Sequence, residues 1–356
     1  MRFPVLQFFF AWAAFVFLPV NVLTGVALAK QVAPNAFHVA IVLGMLLLAL
    51  SVVPAAMIAS QSRASFSGAM FALLPVMLAL PIVAIVPLVN IGWFAIQLAA
   101  LGLLTKRLLP GWGNADICII AWAIVCAAGP LVFGFRWLSA TGAIALLVAV
   151  VAVIVEVATV HATQVGAVAI DLTATSSWAA VWTAAWMVYG TWAFSSASCV
   201  MDLARFARPS LPTAVAAVLG LLVADLCLIG LGYFLARNGL AVESTLALSK
   251  AHYGLAYAFF IAGLWSTNDS NIYSTRIAIR NMGLRAEFWP WLFVGLATVV
   301  AITVKDELFN WIGRWLILMG WIAVPLTGWW WFVLLKKKHS NIPQDGEQKV
   351  SMKWAA

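Results

Sequence analysis

The chain has 356 residues, of which 65% are hydrophobic and 9% are charged, and its mean hydropathy is +1.03. A soluble domain carries about 25% charged residues, so this composition excludes an ordinary soluble protein and indicates a polytopic membrane protein. The formal net charge of +8 comes from basic residues at the ends of apolar stretches, with one run at Lys336-Lys337-Lys338, which is typical of membrane topology and not of nucleic-acid binding.

Apolar windows of about 20 residues, the length that crosses a bilayer, predict an all-α protein with ten transmembrane helices. The helices are expected at 5–29, 36–59, 81–104, 115–133, 137–160, 177–199, 212–236, 254–281, 288–304 and 308–335. We expect one transmembrane domain over residues 1–336, monomeric and surrounded by lipid, and a short polar cytoplasmic tail over 337–356.

The distribution of basic residues predicts the orientation of the chain. With an even number of spans both termini lie on one side, and that side carries more Lys and Arg than the other, so both are expected in the cytoplasm of a multi-pass protein of the cell inner (plasma) membrane. Residues 60–80 are apolar, but an eleventh span there would place the Lys336 cluster outside. They are predicted to form a short interfacial or re-entrant helix on the cytoplasmic side.

Two predicted spans contain helix-breaking sequences. The first holds Pro19, which lacks a backbone donor, and Gly25, which permits unwinding. The sixth holds Ser195-Ser196-Ala197-Ser198. Spans one and six correspond if the ten helices are two halves of five, and interrupted helices at matching positions of two halves indicate a transporter binding site.

The third and sixth spans carry side chains suited to a flat heterocycle. Asn90, Trp93 and Gln97 share one helical face of span three. An indole beside amides offers stacking and in-plane hydrogen bonds to a planar ring. The alternative for Trp93 is ordinary packing in a chain with 19 tryptophans. Trp192 in span six either faces Trp93 across such a ring or belongs to an aromatic stripe.

Span eight contains six consecutive polar residues where the hydropathy predicts bilayer. The hydroxyls of Ser266 and Thr267 are hard ligands suited to sodium when they combine with the carbonyls of an unwound helix. The alternative is that each hydroxyl bonds a carbonyl one turn back. Asn268, Asp269 and Asn271 are expensive to bury, so they are predicted to line a hydrated path or to lock span eight to a neighbour.

Other ionisable residues give weaker signals. Glu156 and Asp225 lie within apolar spans and are candidate proton carriers if the coupling ion is not sodium. Asp202 and Arg205 have the spacing of a structural clip at the cytoplasmic surface. The cysteines and histidines lack metal-ligand spacing, and no nucleotide loop or catalytic triad is present. Neither an enzyme nor a cofactor is therefore expected.

Together these motifs resemble the cytosine permease branch of nucleobase cation symporter family one. Residues 263–273, Gly-Leu-Trp-Ser-Thr-Asn-Asp-Ser-Asn-Ile-Tyr, are similar to that branch's Asn-Ile-Trp-Thr-Thr-Asn-Asp-Asn-Ala-Leu-Tyr. Residues 202–208 resemble its Asp-Phe-Val-Arg-Phe-Gly-Arg, 90–94 its Gln-Val-Gly-Trp-Phe, and 23–25 its Trp-Thr-Gly. The matches occur in the family's order along most of the predicted core.

The resemblance implies a LeuT-type fold of two inverted five-helix repeats. It implies a substrate site at Trp93, Asn90, Trp192, Asn21, Gln97 and Gly263, with Trp93 and Trp192 stacked on the ring. It implies a sodium site at Ser266, Thr267 and the carbonyls of Ala14, Phe17 and Leu18. Asn90 replaces a family Gln and Gly263 replaces a substrate-binding Asn, so a ligand that needs those amides, such as cytosine, is disfavoured. The chain has ten predicted helices where the family usually has twelve.

The expected function is secondary active import of a nucleobase or a related small planar nitrogen heterocycle, coupled to Na+ by alternating access. Cytosine-, purine-, hydroxymethylpyrimidine- and hydantoin-like rings all fit this expectation. The alternatives are proton-coupled uptake of such a ring and a membrane sensor that binds the ring without moving it.

Overall fold

The computed structural model describes residues 4–29, 31–133, 137, 141–145, 147–148, 150–151, 154, 176–209, 211–237, 253–284, 288–337 and 342. The helices within these ranges are α1 (Val5–Val16), α2 (Pro19–Ala29), α3 (Pro34–Ser62), α4 (Phe66–Leu73), α5 (Val76–Leu108), α6 (Ala115–Phe133), α7 (Trp178–Ala197), α8 (Cys199–Ala204), α9 (Leu211–Arg237), α10 (Tyr253–Asn281), α11 (Phe288–Val304) and α12 (Leu308–Leu335). A 3-10 turn, Lys305–Glu307, joins α11 to α12.

The prediction of an all-helical membrane protein is confirmed, and every predicted span except the fifth is helical in the described ranges. The fifth, 137–160, lies mostly outside them, as does the tail at 343–356. Within the described residues, six segments are long and apolar enough to cross a bilayer: Pro34–Ser62, Val76–Leu108, Ala115–Phe133, Leu211–Phe234, Phe288–Glu307 and Trp311–Leu335. Of the others, α1 and α2 are two pieces of one broken span, α7 contains four tryptophans, whose hydropathy is low, and α10 contains six consecutive polar residues.

Residues 60–80 form a short helix and the beginning of the next long one. The side chain of Ser65 caps α4 by accepting a hydrogen bond from the Gly68 amide at 3.2 Å. After α4, Pro75 occupies the N-cap position of α5, which begins at Val76. The predicted start of this span at residue 81 was therefore too late, because Pro81 lies within the continuous helix and does not begin it.

Both predicted helix breaks are present. Phe17 and Leu18 separate α1 from α2, and Ser198, with φ −133° and ψ −70°, separates α7 from α8. A break leaves carbonyl groups without helical partners. The indole of Trp330 in α12 donates to one of these, the Ala197 carbonyl oxygen, at 2.6 Å.

Most of the helices pack as two groups. The first group consists of α1, α2, α3, α7, α8 and α9, and the second consists of α5, α6, α10 and α11. Within the first group α2 packs on α9 and α3 packs on α7, so the first helix of each sequence half contacts the second helix of the other half. This exchange is the arrangement that two inverted repeats produce. The last helix, α12, packs mainly on α7 and α3.

Close approach of α2 to α9 depends on two glycines. A β-carbon at Gly25 would lie 2.1 Å from the Ile229 carbonyl oxygen, and one at Gly232 would lie 2.0 Å from the Val22 carbonyl oxygen. Small residues at such crossings allow helix backbones to touch within a membrane. The pair α2 and α9 is consequently a tightly joined unit within the first group.

Candidate functional site between the two helix groups

A small cavity lies where the two helix groups meet. Its walls come from the break between α1 and α2, from α5, from α7 and from α10. The lining residues are Phe15, Leu18, Trp93, Gln97, Thr191, Trp192, Ser195, Thr267 and Asn271.

Two buried indoles line the cavity from opposite helix groups. Trp192 in α7 is fixed by the hydrogen bond that its Nε1 donates to Asn21 Oδ1 at 3.1 Å, and its ring meets that of Phe15 edge-on at 5.3 Å. Trp93 in α5 has an edge-on contact with Trp315 at 6.5 Å. The neighbouring Gly92 makes room for Trp315, since a β-carbon there would lie 2.2 Å from its ring. The structure thus brings both predicted stacking residues to one cavity and holds each by its edge.

Two amide side chains at the cavity have unused hydrogen-bonding atoms. Gln97 Oε1 in α5 and Asn271 Nδ2 in α10 are buried and have no hydrogen-bond partner. A buried amide atom without a partner costs about 1–3 kcal/mol. An acceptor and a donor that both lack partners beside one cavity therefore favour a ligand that supplies the complementary pair.

Asn90, a predicted substrate residue, has a different set of contacts. Its Nδ2 donates to the Asn271 carbonyl oxygen at 3.1 Å and to Thr275 Oγ1 at 3.0 Å, so it joins α5 to α10. It is not among the residues that line the cavity. Gly263 is likewise absent from the lining, and its carbonyl oxygen accepts hydrogen bonds from Ser266 and Thr267, at 3.1 Å each.

Asn21 lies behind Trp192 as its support. It accepts from that indole and donates through Nδ2 to Asp225 Oδ1 at 2.7 Å and to the Val16 carbonyl oxygen at 3.2 Å. One buried amide therefore links the cavity wall, the helix break and a carboxylate in α9.

Part of the predicted sodium site lies at the break between α1 and α2. Thr267 Oγ1 is 3.3 Å from the Phe15 carbonyl oxygen, which joins α10 directly to the end of α1. Phe17 and Leu18 form the break itself, and Ala14 lies in the last turn of α1. The Leu18 carbonyl oxygen accepts a hydrogen bond from the backbone N–H of Asn21 at 3.0 Å. The Phe15 carbonyl was not among the predicted ligands, although it is the α1 backbone oxygen that contacts Thr267.

The remaining polar residues of α10 point in two directions. Asn271 lines the cavity. Asp269 Oδ2 accepts from Thr141 at 3.1 Å, and Asn268 Nδ2 lies 3.9 Å from Cys126 Sγ in α6, so these two side chains face away from it. The prediction offered a polar lining or a lock, and the segment contains both. Glu156 lies outside the described residues.

The predicted clip at Asp202 and Arg205 joins several elements. Arg205 Nε donates to the Asp202 carbonyl oxygen at 3.2 Å, and its guanidinium also donates to the Tyr273 hydroxyl at 3.2 Å. Asp202 Oδ1 accepts from the Phe66 amide at the start of α4, at 3.1 Å. These contacts tie α8 to α4 and α10 and are structural.

Four residues that line the cavity were not predicted for the substrate site: Phe15, Thr191, Ser195 and Asn271. The signal that could have found Asn271 is its spacing of four from Thr267, which puts both side chains on one face of α10. Thr191 and Ser195 have the same spacing in α7.

Comparison with known proteins gives structural similarity alone. No protein-family model matches the chain, and no curated protein matches it by sequence. A structure of Mhp1, a nucleobase-cation-symport-1 family transporter, in a closed conformation with bromovinylhydantoin bound, matches with a TM-score of 0.62 and 16% identity over 92% of this chain and 77% of that one. An inward-facing structure of Mhp1 matches with a TM-score of 0.63 and 18% identity over 91% and 75%.

These matches confirm the predicted fold. The chain has the LeuT-type fold, and the expected resemblance to nucleobase cation symporter family one is confirmed at the level of three-dimensional structure.

Proposed function

We propose that the protein is a secondary active transporter that imports a small planar nitrogen heterocycle. The observation that carries this proposal is the cavity between the two helix groups, with an indole from each group and two amide atoms that lack partners. A site at the interface of two packed groups is reached from either side of the membrane when one group rocks against the other.

The polar atoms at the cavity favour rings that contain an N–H group next to a carbonyl. Gln97 Oε1 accepts from the ring N–H, and Asn271 Nδ2 donates to the ring carbonyl. Uracil, hypoxanthine, xanthine and hydantoin share that edge, and their flat faces stack on Trp93 and Trp192. The bromovinylhydantoin bound to Mhp1 supports a ring of this kind.

The changed amides support discrimination against cytosine, whose N1–H and C2 carbonyl otherwise give it the same edge. The substrate-binding amide that resemblance placed at position 263 is absent, and the amide nitrogen of Asn90 already donates to two groups in α10. Asn271 supplies the second amide in this proposal. A ring that needs further amide partners at positions 90 and 263 would have polar atoms buried without partners, which gives large differences in affinity.

Sodium is the proposed coupling ion, held by the hydroxyl oxygens of Ser266 and Thr267 and by carbonyl oxygens at the break between α1 and α2. Both hydroxyls donate to the Gly263 carbonyl, which leaves their lone pairs for a cation. The contact of Thr267 with Phe15 supports this location. An ion there would bridge the two helix groups, as the ring does.

The first test is a thermal-shift screen of purified protein with uracil, hypoxanthine, hydantoin and cytosine, each with and without Na+. A ligand at 100 times its dissociation constant stabilises the folded state by about 2.7 kcal/mol. We expect stabilisation by uracil, hypoxanthine and hydantoin, less by cytosine, and a larger effect with Na+. Unchanged unfolding with every ring would refute the proposed substrate class.

Two variants with matched controls test the assigned roles. Trp93→Ala should lose ring stabilisation, whereas Trp182→Ala, at a side chain exposed on α7, should keep it. Thr267→Ala should lose the sodium effect, whereas Thr183→Ala, also exposed on α7, should keep it. Sodium dependence that survives in Thr267→Ala would favour proton coupling.

Transport is separated from sensing by counterflow. Proteoliposomes preloaded with an unlabelled ring identified by the screen should accumulate the radiolabelled ring transiently. Saturable binding without accumulation would identify a non-transporting sensor.

A further inference from the structure

A carboxylate in α9 is buried with a single neutral partner. Asp225 has no exposed surface, its Oδ1 accepts from Asn21 Nδ2 at 2.7 Å, and its Oδ2 has no hydrogen-bond partner. The position lies outside the ring cavity and away from Ser266 and Thr267, so neither proposed role accounts for it.

Among the described residues, the helices packed around Asp225 provide no compensating charge. The helices packed on α9 are α1, α2 and α3. Neither α1 nor α2 contains an ionisable side chain, and the only one in α3 is His38 in its first turns. His38 adjoins Phe37, whose ring stacks on Tyr233, about two turns along α9 from Asp225. Arg237 and the exposed Cys227 are the other ionisable groups near this part of α9.

An ionised carboxylate is not stable in such an environment. Without a cation or several donors, a charge in a low-dielectric interior costs many kcal/mol, and the group takes up a proton instead. A single amide hydrogen bond offsets about 1–3 kcal/mol of that cost. The neutral acid is therefore the form that fits this packing.

The same amide connects Asp225 to the cavity. Asn21 donates to Asp225 and accepts from Trp192, whose ring lines the cavity, and it lies three residues after Leu18 at the helix break. Any movement of Trp192 or of the break therefore disturbs the hydrogen bond that Asn21 donates to Asp225.

We propose that Asp225, Asn21 and Trp192 form a proton-binding site, linked to the ring cavity and separate from the sodium site. The proton is held while the two helix groups are closed around the cavity, and it is released when movement at the break gives Asp225 access to water. Because binding linkage is reciprocal, a ring that stabilises the closed arrangement also strengthens proton binding. Ring affinity then falls as the pH rises through the range in which Asp225 loses its proton, by up to about tenfold per pH unit for one linked proton.

Infrared spectroscopy of the purified full chain in lipid tests the site without any ring. The difference spectrum of wild type minus Asp225→Asn at neutral pH should contain the C=O stretch of a protonated carboxylic acid. The control, Asp116→Asn, removes a part-exposed carboxylate that pairs with Lys305 at 3.1 Å and should give carboxylate bands instead. Carboxylate bands in the Asp225 difference spectrum would overturn the proposal.

A second variant keeps the test decisive if Asp225→Asn does not fold. Asn21→Ala removes the donor to Oδ1, so the acid C=O band should move to higher frequency. A band that stays in place in Asn21→Ala would show that the acid signal does not come from Asp225.

Ring binding provides the functional readout. With a ring from the thermal-shift screen, wild-type affinity should decrease with rising pH, and Asp225→Asn should remove that decrease. A pH dependence equal to that of wild type would overturn the link to the cavity. If no ring binds the wild type, the proposed function fails while the infrared result still decides whether Asp225 holds a proton.

Discussion

Replacement of Gly232 by alanine gives a direct test of the packing that supports the site. A β-carbon at this position in α9 would lie 2.0 Å from the carbonyl oxygen and 2.8 Å from the carbonyl carbon of Val22 in α2, whereas ordinary contacts begin near 3.4 Å. Both neighbours are backbone atoms, so no change of rotamer can relieve the overlap. The α2 backbone itself has to retreat from α9.

The expected loss of stability follows from this geometry. Overpacking of a tight core costs about 1–3 kcal/mol, and a clash with rigid backbone belongs at the upper end. Each kcal/mol lowers the melting temperature by about 2–4 °C in a chain of 150–250 residues and by about 1.5–2 °C in one of 356 residues, because the unfolding entropy grows with length. We therefore expect Gly232→Ala to lower the apparent melting temperature by roughly 3–6 °C.

The matched control is Gly230→Ala on the same helix. A β-carbon at Gly230 would have no atom within 4 Å, and alanine is favoured over glycine in a helix by about 1 kcal/mol. Thermal unfolding in one detergent at one scan rate, which irreversible unfolding requires, should leave this variant unchanged or slightly more stable. Equal melting of the two variants would refute the close α2–α9 contact.

Three further variants separate stability from binding. Asn90→Ala should lower the melting temperature, because it removes the donor to Thr275 and to the α10 backbone, at about 1–3 kcal/mol; unchanged melting would contradict its role as a lock. Trp330→Phe should also destabilise, since it leaves the Ala197 carbonyl at the α7 break without its donor, and a melting temperature equal to that of wild type would argue against that contact. Gln97→Leu should melt like wild type but lose ring stabilisation, because its Oε1 has no protein partner; retained ring binding would remove Gln97 from the site.

The sequence predicted well which side of a helix a residue occupies, but it predicted poorly how far along the helix axis the cavity lies. Asn90 and Gln97 lie seven residues apart in α5, so they point in nearly the same direction but are separated by about 10 Å along the axis. Gln97 reaches the cavity, whereas Asn90 meets α10 at the level of Thr275. Hydrophobic periodicity reports direction alone, and the level of the cavity depends on where the breaks in α1 and α7 meet.

The breaks themselves were predictable because their residues act locally. Pro19 removes a backbone donor, and the Ser198 hydroxyl donates to the Phe194 carbonyl oxygen at 2.6 Å, one turn back in α7. Which carbonyl the break presents to α10 depends on the packing of two distant segments. Phe15, and not a residue of the predicted set, therefore meets Thr267.

The distribution of cavity residues between the helix groups has a consequence for alternating access. Trp192 and the α1–α2 break belong to the first group, and Trp93, Gln97 and Asn271 belong to the second. A ligand shifts a conformational equilibrium only by its difference in affinity between the two states. A ring bound to one group alone would have equal contacts in open and closed states and would leave their populations unchanged. A ring clamped between both indoles gains the second set of contacts only on closure, so each indole should contribute to closure as well as to affinity.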